Sequence, residues 1–200
     1  MASFRSLPLL CLAGAALCAP AWAKNVLRNP GFESGDRQWQ LHAAAGTDNQ
    51  PQTITVVTTG ARSGKSCLKM SANSFARLRI NSAQIVPVAP GQTWRFSAWV
   101  RAAADAQPQP RTAGVVARIT NLDRAAGDVH LYIDLAGQTA SGVAQARAQF
   151  APLEKLPSEW TRMTADVKIP AGFAKVRVEV MTFNAAGDVF WDDLSFEKLR

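Results

Sequence analysis

The chain has 200 residues, of which 48% are hydrophobic and 18% charged, and its formal net charge is +7. This length predicts a single domain that buries about 70% of the surface of its unfolded chain without support from disulfides or metals. The composition excludes an intrinsically disordered chain, because hydrophobic residues are plentiful and the charge is modest. It also excludes a disulfide scaffold, since there are only 3 cysteines.

The first segment, residues 1–23, has the features of a secretory signal peptide. A positive residue precedes an Ala- and Leu-rich stretch at 7–17, and Ala21-Trp22-Ala23 is a small-x-small cleavage site. The apolar stretch is too short for a membrane span, and Pro20 interrupts it. We therefore predict cleavage after Ala23, a mature domain of residues 24–200, and a secreted or periplasmic location.

Short segments with alternating or β-branched residues recur along the mature chain. Turn signals such as Asn29-Pro30-Gly31 and Pro170-Ala171-Gly172 separate them. Many short strands at such spacing are typical of an all-β sandwich or jelly roll. The stretch Ala140–Gln149 fits a helix or a loop equally well. The predicted strands are Thr53–Thr58, Ser66–Met70, Arg77–Val86, Thr93–Arg101, Ala113–Asn121, Val129–Leu135, Thr161–Ile169, Lys175–Phe183 and Val189–Phe196.

Side chains alternate across a strand, so the two faces of each predicted strand can be sorted. In the strand Thr93–Arg101, one face is apolar and the other carries Trp99 and Arg101. In the strand Lys175–Phe183, one face is a row of Val and the other carries Arg177 and Glu179. This pattern is typical of a sheet with one side in the core and one side in water. If these strands share a sheet, we expect one wet face that holds Arg95, Trp99, Arg101, Arg118, Arg177, Glu179 and Phe183.

Five segments, in this order, carry a resemblance to a known family. They are Asn25–Glu33 (NVLRNPGFE), Arg62–Met70 (RSGKSCLKM), Val88–Ala102 (VAPGQTWRFSAWVRA), Trp160–Gly172 (WTRMTADVKIPAG) and Val189–Leu194 (VFWDDL). They resemble the extracellular carbohydrate-binding modules of the cellulose- and xylan-binding group, families four, nine and twenty-two. The resemblance implies a galactose-binding-like jelly roll and a non-catalytic protein that binds poly- or oligosaccharide in a concave groove.

The resemblance also implies a structural Ca²⁺. In the family, this ion is held by oxygens from three places: the opening motif, the loop before the Lys/Leu strand, and the closing motif. Oxygen atoms are the ligands that Ca²⁺ prefers. Carried over position by position, the ligands are Gly31, Glu33, Lys65 and Asp192. Arg62 departs from the pattern, since some relatives place an acidic ligand there and a cation weakens calcium binding. Alternatively, Glu33 and Asp192 only accept backbone hydrogen bonds or pair with Arg62.

The groove is the candidate ligand site. Aromatic rings stack on the apolar faces of sugars, while Arg and carboxylate side chains bond their hydroxyls. A groove rich in Arg favours an acidic glycan, although Glu179 balances part of this charge. Alternatively, the Asp105–Arg111 loop covers Trp99, and the charged residues only solvate a sheet. The candidate ligand residues are Trp99, Arg101, Arg118, Tyr132, Arg177, Glu179 and Phe183.

Catalytic and nucleotide-binding motifs are weak. The segment Gly60–Ser66 is one residue short of a phosphate loop, and no nucleophile elbow is found. Asp192 and Asp193 are adjacent, so we expect them on opposite faces, unlike paired catalytic carboxylates. Dispersed Lys and Arg argue against nucleic acid as a partner. Two alternatives to the binding module stay open: an envelope structural or adhesion module for a protein partner, and a small polysaccharide-cleaving enzyme that uses Tyr132 with Arg118.

We have two smaller expectations. Cys67 lies in a strand-like segment and is predicted to be a buried small side chain. In the closing motif, Phe190 and Leu194 are predicted to point inward, with Trp191 and Asp192 near the end of the strand.

Overall fold

The computed structural model describes residues 24–43, 52–108, 114–122, 130–134, 139–141 and 156–199. The predicted signal peptide and most of the ambiguous Ala140–Gln149 stretch lie outside these residues. Within the described ranges the regular structure is all strand, as predicted. No helix of this part of the chain is long and apolar enough to cross a membrane. The strands are β1 (Trp39–Ala43), β2 (Gln52–Val57), β3 (Cys67–Ser82), β4 (Val86–Pro87), β5 (Thr93–Ala102), β6 (Gln107–Pro108), β7 (Gly114–Asn121), β8 (His130–Asp134), β9 (Thr139–Ser141), β10 (Thr161–Lys168) and β11 (Lys175–Lys198).

Two long strands, β3 and β11, run through both layers of the fold. The first part of β11 pairs with β7 and its last part with β5, and both pairings are antiparallel. The front layer is the order β1-β3-β11-β7-β8-β9, in which β11 contributes residues 175–183. The back layer is the order β2-β3-β11-β5-β10, in which β11 contributes residues 187–198. Each of these long strands corresponds to two separate predicted strands.

Strand β11 folds back on itself between the layers. Trp191 Nε1 donates a hydrogen bond to Thr182 Oγ1 at 3.1 Å, although nine residues of straight strand span about 30 Å. The pairing with β3 shifts register twice in this region, and Asn184 and Gly187 have positive φ values of 49° and 94°. A Cβ on Gly187 would lie 2.7 Å from the Ala106 Cα, so the bend requires a glycine there. The bend stacks the two layers face to face.

The core lies between the layers. The inward face of β5, which includes Trp94 and Phe96, is at most 4% exposed, and Val176 and Val178 of the front layer are fully buried against the same cluster. Burial of each such side chain contributes roughly 1.5–3 kcal/mol. The predicted sorting of these two strands into apolar and polar faces is therefore confirmed. Cys67 is also a buried free thiol, as predicted.

A bulge at Asp193 changes the alternation of the closing motif. Asp193 has a φ of 46°, and the register with β5 shifts between Asp192 and Ser195. The bulge places both Trp191 and Leu194 in the core, at 0% and 1% exposure. The prediction that Phe190 points inward is therefore wrong, because the extra residue reverses the faces before the bulge.

Candidate functional site

The outer face of the front layer carries a row of polar side chains, which we call the polar lane. Register places Glu179 of β11 between Asn81 of β3 and Arg118 of β7. The next pair along the same face is Arg177 with Thr120. These residues come from three neighbouring strands, so the rigid sheet fixes their spacing. The polar lane consists of Arg79, Asn81, Arg118, Thr120, Arg177 and Glu179.

An ion pair forms the floor of the polar lane. Arg118 Nε donates to Glu179 Oε2 at 2.8 Å, and Arg118 Nη2 donates a second bond to the same oxygen. Thr120 Oγ1 donates to Glu179 Oε1 at 2.7 Å. Glu179 and Arg118 are only 3% and 7% exposed. The expectation that both lie in water is wrong, because their mutual pairing allows them to be buried.

Two polar atoms of the lane are buried without a partner among the described residues, Asn81 Oδ1 and Arg177 Nε. Asn81 is 6% exposed, and its Nδ2 is already bonded to His42 Nε2 at 3.1 Å. One open atom accepts hydrogen bonds and the other donates them. A hydroxyl group does both, so it matches the chemistry of either atom.

Trp99 and Arg101 lie on the outer face of the back layer. The Arg62 guanidinium stacks over the Trp99 ring at 4.0 Å from its centroid. Arg101 lies over the rings of Phe190 and Trp160, at 4.7 Å and 5.4 Å. Arg62 thus supplies a contact over Trp99, and part of the Asp105–Arg111 loop that the sequence suggested as a cover lies outside the described residues. Guanidinium groups therefore already occupy these rings.

The predicted ligand residues do not share one face. Trp99 and Arg101 belong to β5 in the back layer, whereas Arg118 and Arg177 belong to the front layer. The assumption that these strands share one layer is wrong, because β11 folds back and turns its outer faces in opposite directions. Arg118, Arg177 and Glu179 are brought together. Tyr132 pairs with Arg118 and Phe183 with Gly114 through their backbones, and their side chains lie outside the described part of the structure.

The four residues carried over as calcium ligands meet around one loop, at residues 62–66. Glu33 accepts hydrogen bonds from the backbone N–H groups of Lys65 and Ser66, at 3.0–3.1 Å. Asp192 Oδ2 accepts from Arg62 N and Ser63 N, at 2.9 and 3.2 Å. A Cβ built on Gly31 would lie 3.4 Å from Asp192 Oδ1. We call this arrangement the loop clamp.

The donors of the loop clamp do not fit a calcium ion. Backbone N–H groups, whose hydrogens repel a cation, point at both carboxylates, and Asp192 Oδ1 accepts a further bond from Asp193 N at 2.7 Å. Arg62 Nη1 pairs with Asp193 Oδ2 at 2.8 Å and brings a positive charge to the same place. No cluster of three or more His, Cys, Asp or Glu side chains suited to a metal is found in the described ranges. The calcium site that the resemblance implied is thus untested, and this set of donors argues against it.

Asp192 is fully buried at the centre of the loop clamp. Burial raises the pKa of its carboxyl group, and this effect outweighs the backbone N–H donors of Ser63, Asp193 and Arg62, which lower it. Asp193 reaches the same loop, because Ser63 Oγ donates to Asp193 Oδ1 at 2.8 Å. The expectation that Asp192 and Asp193 point apart is wrong, since the bulge lets adjacent carboxylates bind one loop.

Sequence reasoning missed Arg79 and Asn81 as members of the site. Arg79 Nη1 is 3.8 Å from Glu179 Oε2, and Asn81 lies opposite Glu179 in register. The signal was present in the segment 77–81, where Arg, Arg and Asn alternate with the buried Leu78 and Ile80. The face of this strand could not be assigned to a layer without its partners.

Several solved structures are similar to this chain in fold. The family 16 carbohydrate binding module-2 is 17% identical with a TM-score of 0.52, covering 86% of this chain and 99% of its own. The C-terminal family 22 carbohydrate binding module of Clostridium thermocellum Xyn10B is 14% identical with a TM-score of 0.53, covering 84% and 90%. The enzymatically active domain of tailspike protein 4 of bacteriophage CBA120 is 10% identical with a TM-score of 0.58, covering 88% and 21%.

The chain therefore spans 21% of the tailspike chain and nearly the whole of the isolated modules. At these identities the likeness concerns the fold, and it agrees with the predicted β-sandwich jelly roll. No curated protein sequence matches the chain closely enough to be a relative. Residues 24–186 match the family described as carbohydrate binding domain, CBM_4_9, which includes the first two of the families that the sequence motifs indicated. The chain belongs to this carbohydrate binding domain family.

Proposed function

We propose that the protein binds a poly- or oligosaccharide along the polar lane without changing it covalently. The observation that supports this most directly is the pair of open atoms, Asn81 Oδ1 and Arg177 Nε. An unsatisfied buried polar atom costs about 1–3 kcal/mol, and a bound hydroxyl would recover this cost. The family 22 module of Clostridium thermocellum Xyn10B, which has a similar fold, has a cleft whose amino acids act in ligand binding.

The rigidity of the lane supports a binding function. Arg118 and Glu179 hold each other in a buried pair, and Thr120 fixes the second carboxylate oxygen. Side chains that are already ordered lose little conformational entropy when a ligand binds. Tyr132 is our candidate for the stacking ring, since its backbone pairs with Arg118.

We propose that the protein is not an enzyme. The enzyme alternative requires Tyr132 as a base beside an Arg118 that is available to substrate. Arg118 is instead 7% exposed and bonded twice to Glu179. We also propose export with cleavage after Ala23, as the first 23 residues indicate. The N-terminal sequence of the mature protein checks that cleavage site.

Binding of the mature chain to a glycan microarray tests the proposed function. Asn81→Ala and Arg177→Ala are the lane variants, and Trp99→Ala on the opposite layer is the matched control. We expect each lane variant to weaken glycan binding by about tenfold or more, since each removes a hydrogen bond worth roughly 1–3 kcal/mol. We expect the control to bind like the unchanged protein. Circular dichroism spectra of all three confirm that they fold.

Two results would overturn the proposal. If no glycan binds, the protein is not a sugar-binding module, and capture of an envelope protein would then favour the adhesion alternative. If only Trp99→Ala loses binding, the site lies on the back layer with Trp99 and Arg101, as part of the sequence analysis predicted. New reducing ends or unsaturated products on incubation with the bound polysaccharide would instead make the protein an enzyme.

A further inference from the structure

We propose that the polar lane selects glycans that carry anionic groups. This inference rests on the proposed function, because it names the class of sugar that the same face would bind. The shared chemistry is a carboxylate or sulfate group on a polysaccharide.

One carboxylate in the lane faces more guanidinium groups than it can satisfy. Both oxygens of Glu179 already accept bonds from Arg118 and Thr120. Arg79 stays at 3.8 Å from this carboxylate, beyond hydrogen-bond distance, with 33% of its side chain exposed. Arg177 has a buried Nε without a partner and no ion pair within the described residues. Arg79 and Arg177 thus bring surplus positive charge to the lane.

The back layer provides an internal comparison. There Arg95 pairs with Asp166 at 2.6 Å, Lys69 with Asp188 at 3.3 Å, and Arg62 of the adjoining loop with Asp193 at 2.8 Å. Each of these cations has a carboxylate of its own. Two further back-layer cations have no carboxylate partner among the described residues: Arg101 lies over the rings of Phe190 and Trp160, and Arg162 Nη2 lies 3.4 Å from Ser97 Oγ. The lane differs in that Arg79 lies beside a carboxylate whose two oxygens are already bonded.

A neutral sugar and an anionic sugar differ in the energy that each costs or gains when it covers the surplus positive charge of Arg79 and Arg177. A neutral sugar lying on the lane removes water from Arg79 and Arg177 and offers them only hydroxyls. Desolvating a charged group is costly unless an opposite charge is supplied. A carboxylate or sulfate supplies that charge and accepts two parallel N–H bonds from one guanidinium group. Anionic glycans are therefore the ligands that fit this face.

Affinity gel electrophoresis with matched polysaccharides tests the inference. The probes are polygalacturonate against its methyl-esterified form, and dextran sulfate against dextran, so that the two sources of charge are separated. We expect the mature protein to bind the anionic member of at least one pair about tenfold or more tightly. Rising NaCl should weaken that binding, because salt screens the attraction between exposed charges.

The variants Arg79→Gln and Arg177→Gln should each reduce the preference for the anionic probe severalfold. Arg95→Gln is the matched control, since it removes the same charge from the back layer, and it should leave the preference unchanged. The salt dependence of the unchanged protein tests the inference even if a lane variant fails to fold.

Equal binding to the charged and neutral members of both pairs would overturn the inference while leaving the proposed function intact. An equal loss of preference in Arg95→Gln would also overturn it, because net charge alone would then explain binding. Binding to none of these probes or to any other glycan would overturn the proposed function as well.

Discussion

On the back layer, Arg95 and Lys69 each meet a carboxylate of their own near solvent, whereas on the front layer Arg79 and Arg118 both face Glu179. The back pairs have side chains 30–44% exposed, and the Glu179 side chain is 4% exposed. Water screens the attraction between the charges of the exposed back-layer pairs, whereas it screens the buried pair of Arg118 and Glu179 only a little. Charged residues therefore keep the back layer in contact with water, whereas on the front layer the same residue types fix the positions of neighbouring side chains.

This difference identifies where a ligand would be recognised. Exposed one-to-one pairs such as Arg95 with Asp166 leave few unsatisfied donors, so a ligand gains little by displacing water from them. On the back layer Arg101 Nε is also buried without a partner among the described residues, but its guanidinium already lies over two aromatic rings. A buried pair beside open donor and acceptor atoms keeps its geometry before any ligand arrives. The comparison thus favours the front layer, even though the back layer carries the aromatic rings that the sequence indicated.

Removing Glu179 should produce the largest effect on stability. Glu179→Ala leaves Arg118 buried without its carboxylate, and we expect a loss of ~3–5 kcal/mol in the free energy of unfolding. Asp166→Ala breaks the exposed pair with Arg95 and should cost at most ~1 kcal/mol. Urea unfolding of both variants measures the difference.

If Glu179→Ala does not fold, Glu179→Gln can be used for the same unfolding measurement, since it keeps the shape of the side chain while removing the charge. Similar losses for the Glu179 and Asp166 variants would contradict the distinction between the two faces.

The loop clamp should give an intermediate effect. Glu33→Gln turns an NH₂ group toward the N–H donors of Lys65 and Ser66, and because Glu33 is exposed we expect a loss of only ~0.5–1.5 kcal/mol. Asp36→Asn is the control, since it changes another exposed carboxylate three residues further along the chain.

Because backbone donors already satisfy Glu33 and Asp192, we expect EDTA to leave the melting temperature unchanged. Thermal unfolding with and without EDTA or added Ca²⁺ checks this. A melting temperature that falls with EDTA and recovers with Ca²⁺ would support the calcium site that the resemblance implied.

The pH dependence contributed by Asp192 should be the smallest effect. Its pKa is raised in the folded state, so the folded protein keeps this proton at a pH where the unfolded chain, with an aspartate pKa of about 3.9, has released it. Stability contributed by this group is therefore present at low pH and declines as pH rises through the raised pKa. We expect the unchanged protein to lose stability over this range relative to Asp192→Asn. Urea unfolding at several pH values measures it, and parallel curves would contradict the prediction.

Much of the fold follows from local pattern. Alternation in Thr93–Arg101 and in Lys175–Phe183 predicts which side chains enter the core, because only one face of each strand can be buried. The family was indicated by motifs such as Asn29-Pro30-Gly31, which lies within the matched residues 24–186, whereas the closing motif Val189–Leu194 lies beyond them. The four residues around the loop clamp were also brought together as the resemblance implied.

The site could be predicted only in part. Arg118, Arg177 and Glu179 were found because each lies opposite buried Val or Ile residues, and this alternation is local. Trp99 was assigned to the same face because the sequence contains no signal for which layer a strand joins. Phe190 was misplaced for a similar reason, since a bulge of one residue at Asp193 reverses alternation.

The sequence by itself determined the class of fold, the family and the two faces of regular strands such as Thr93–Arg101, because side-chain alternation and turn residues act over a few neighbouring positions. Only the tertiary structure decided which faces point the same way. The bend of β11 near Gly187 stacks its two halves, so Arg177 and Trp99 lie on opposite sides of one molecule. Pairing between strands far apart in sequence also decided that Glu179 is buried with Arg118, since a charge enters a sheet face only with a partner.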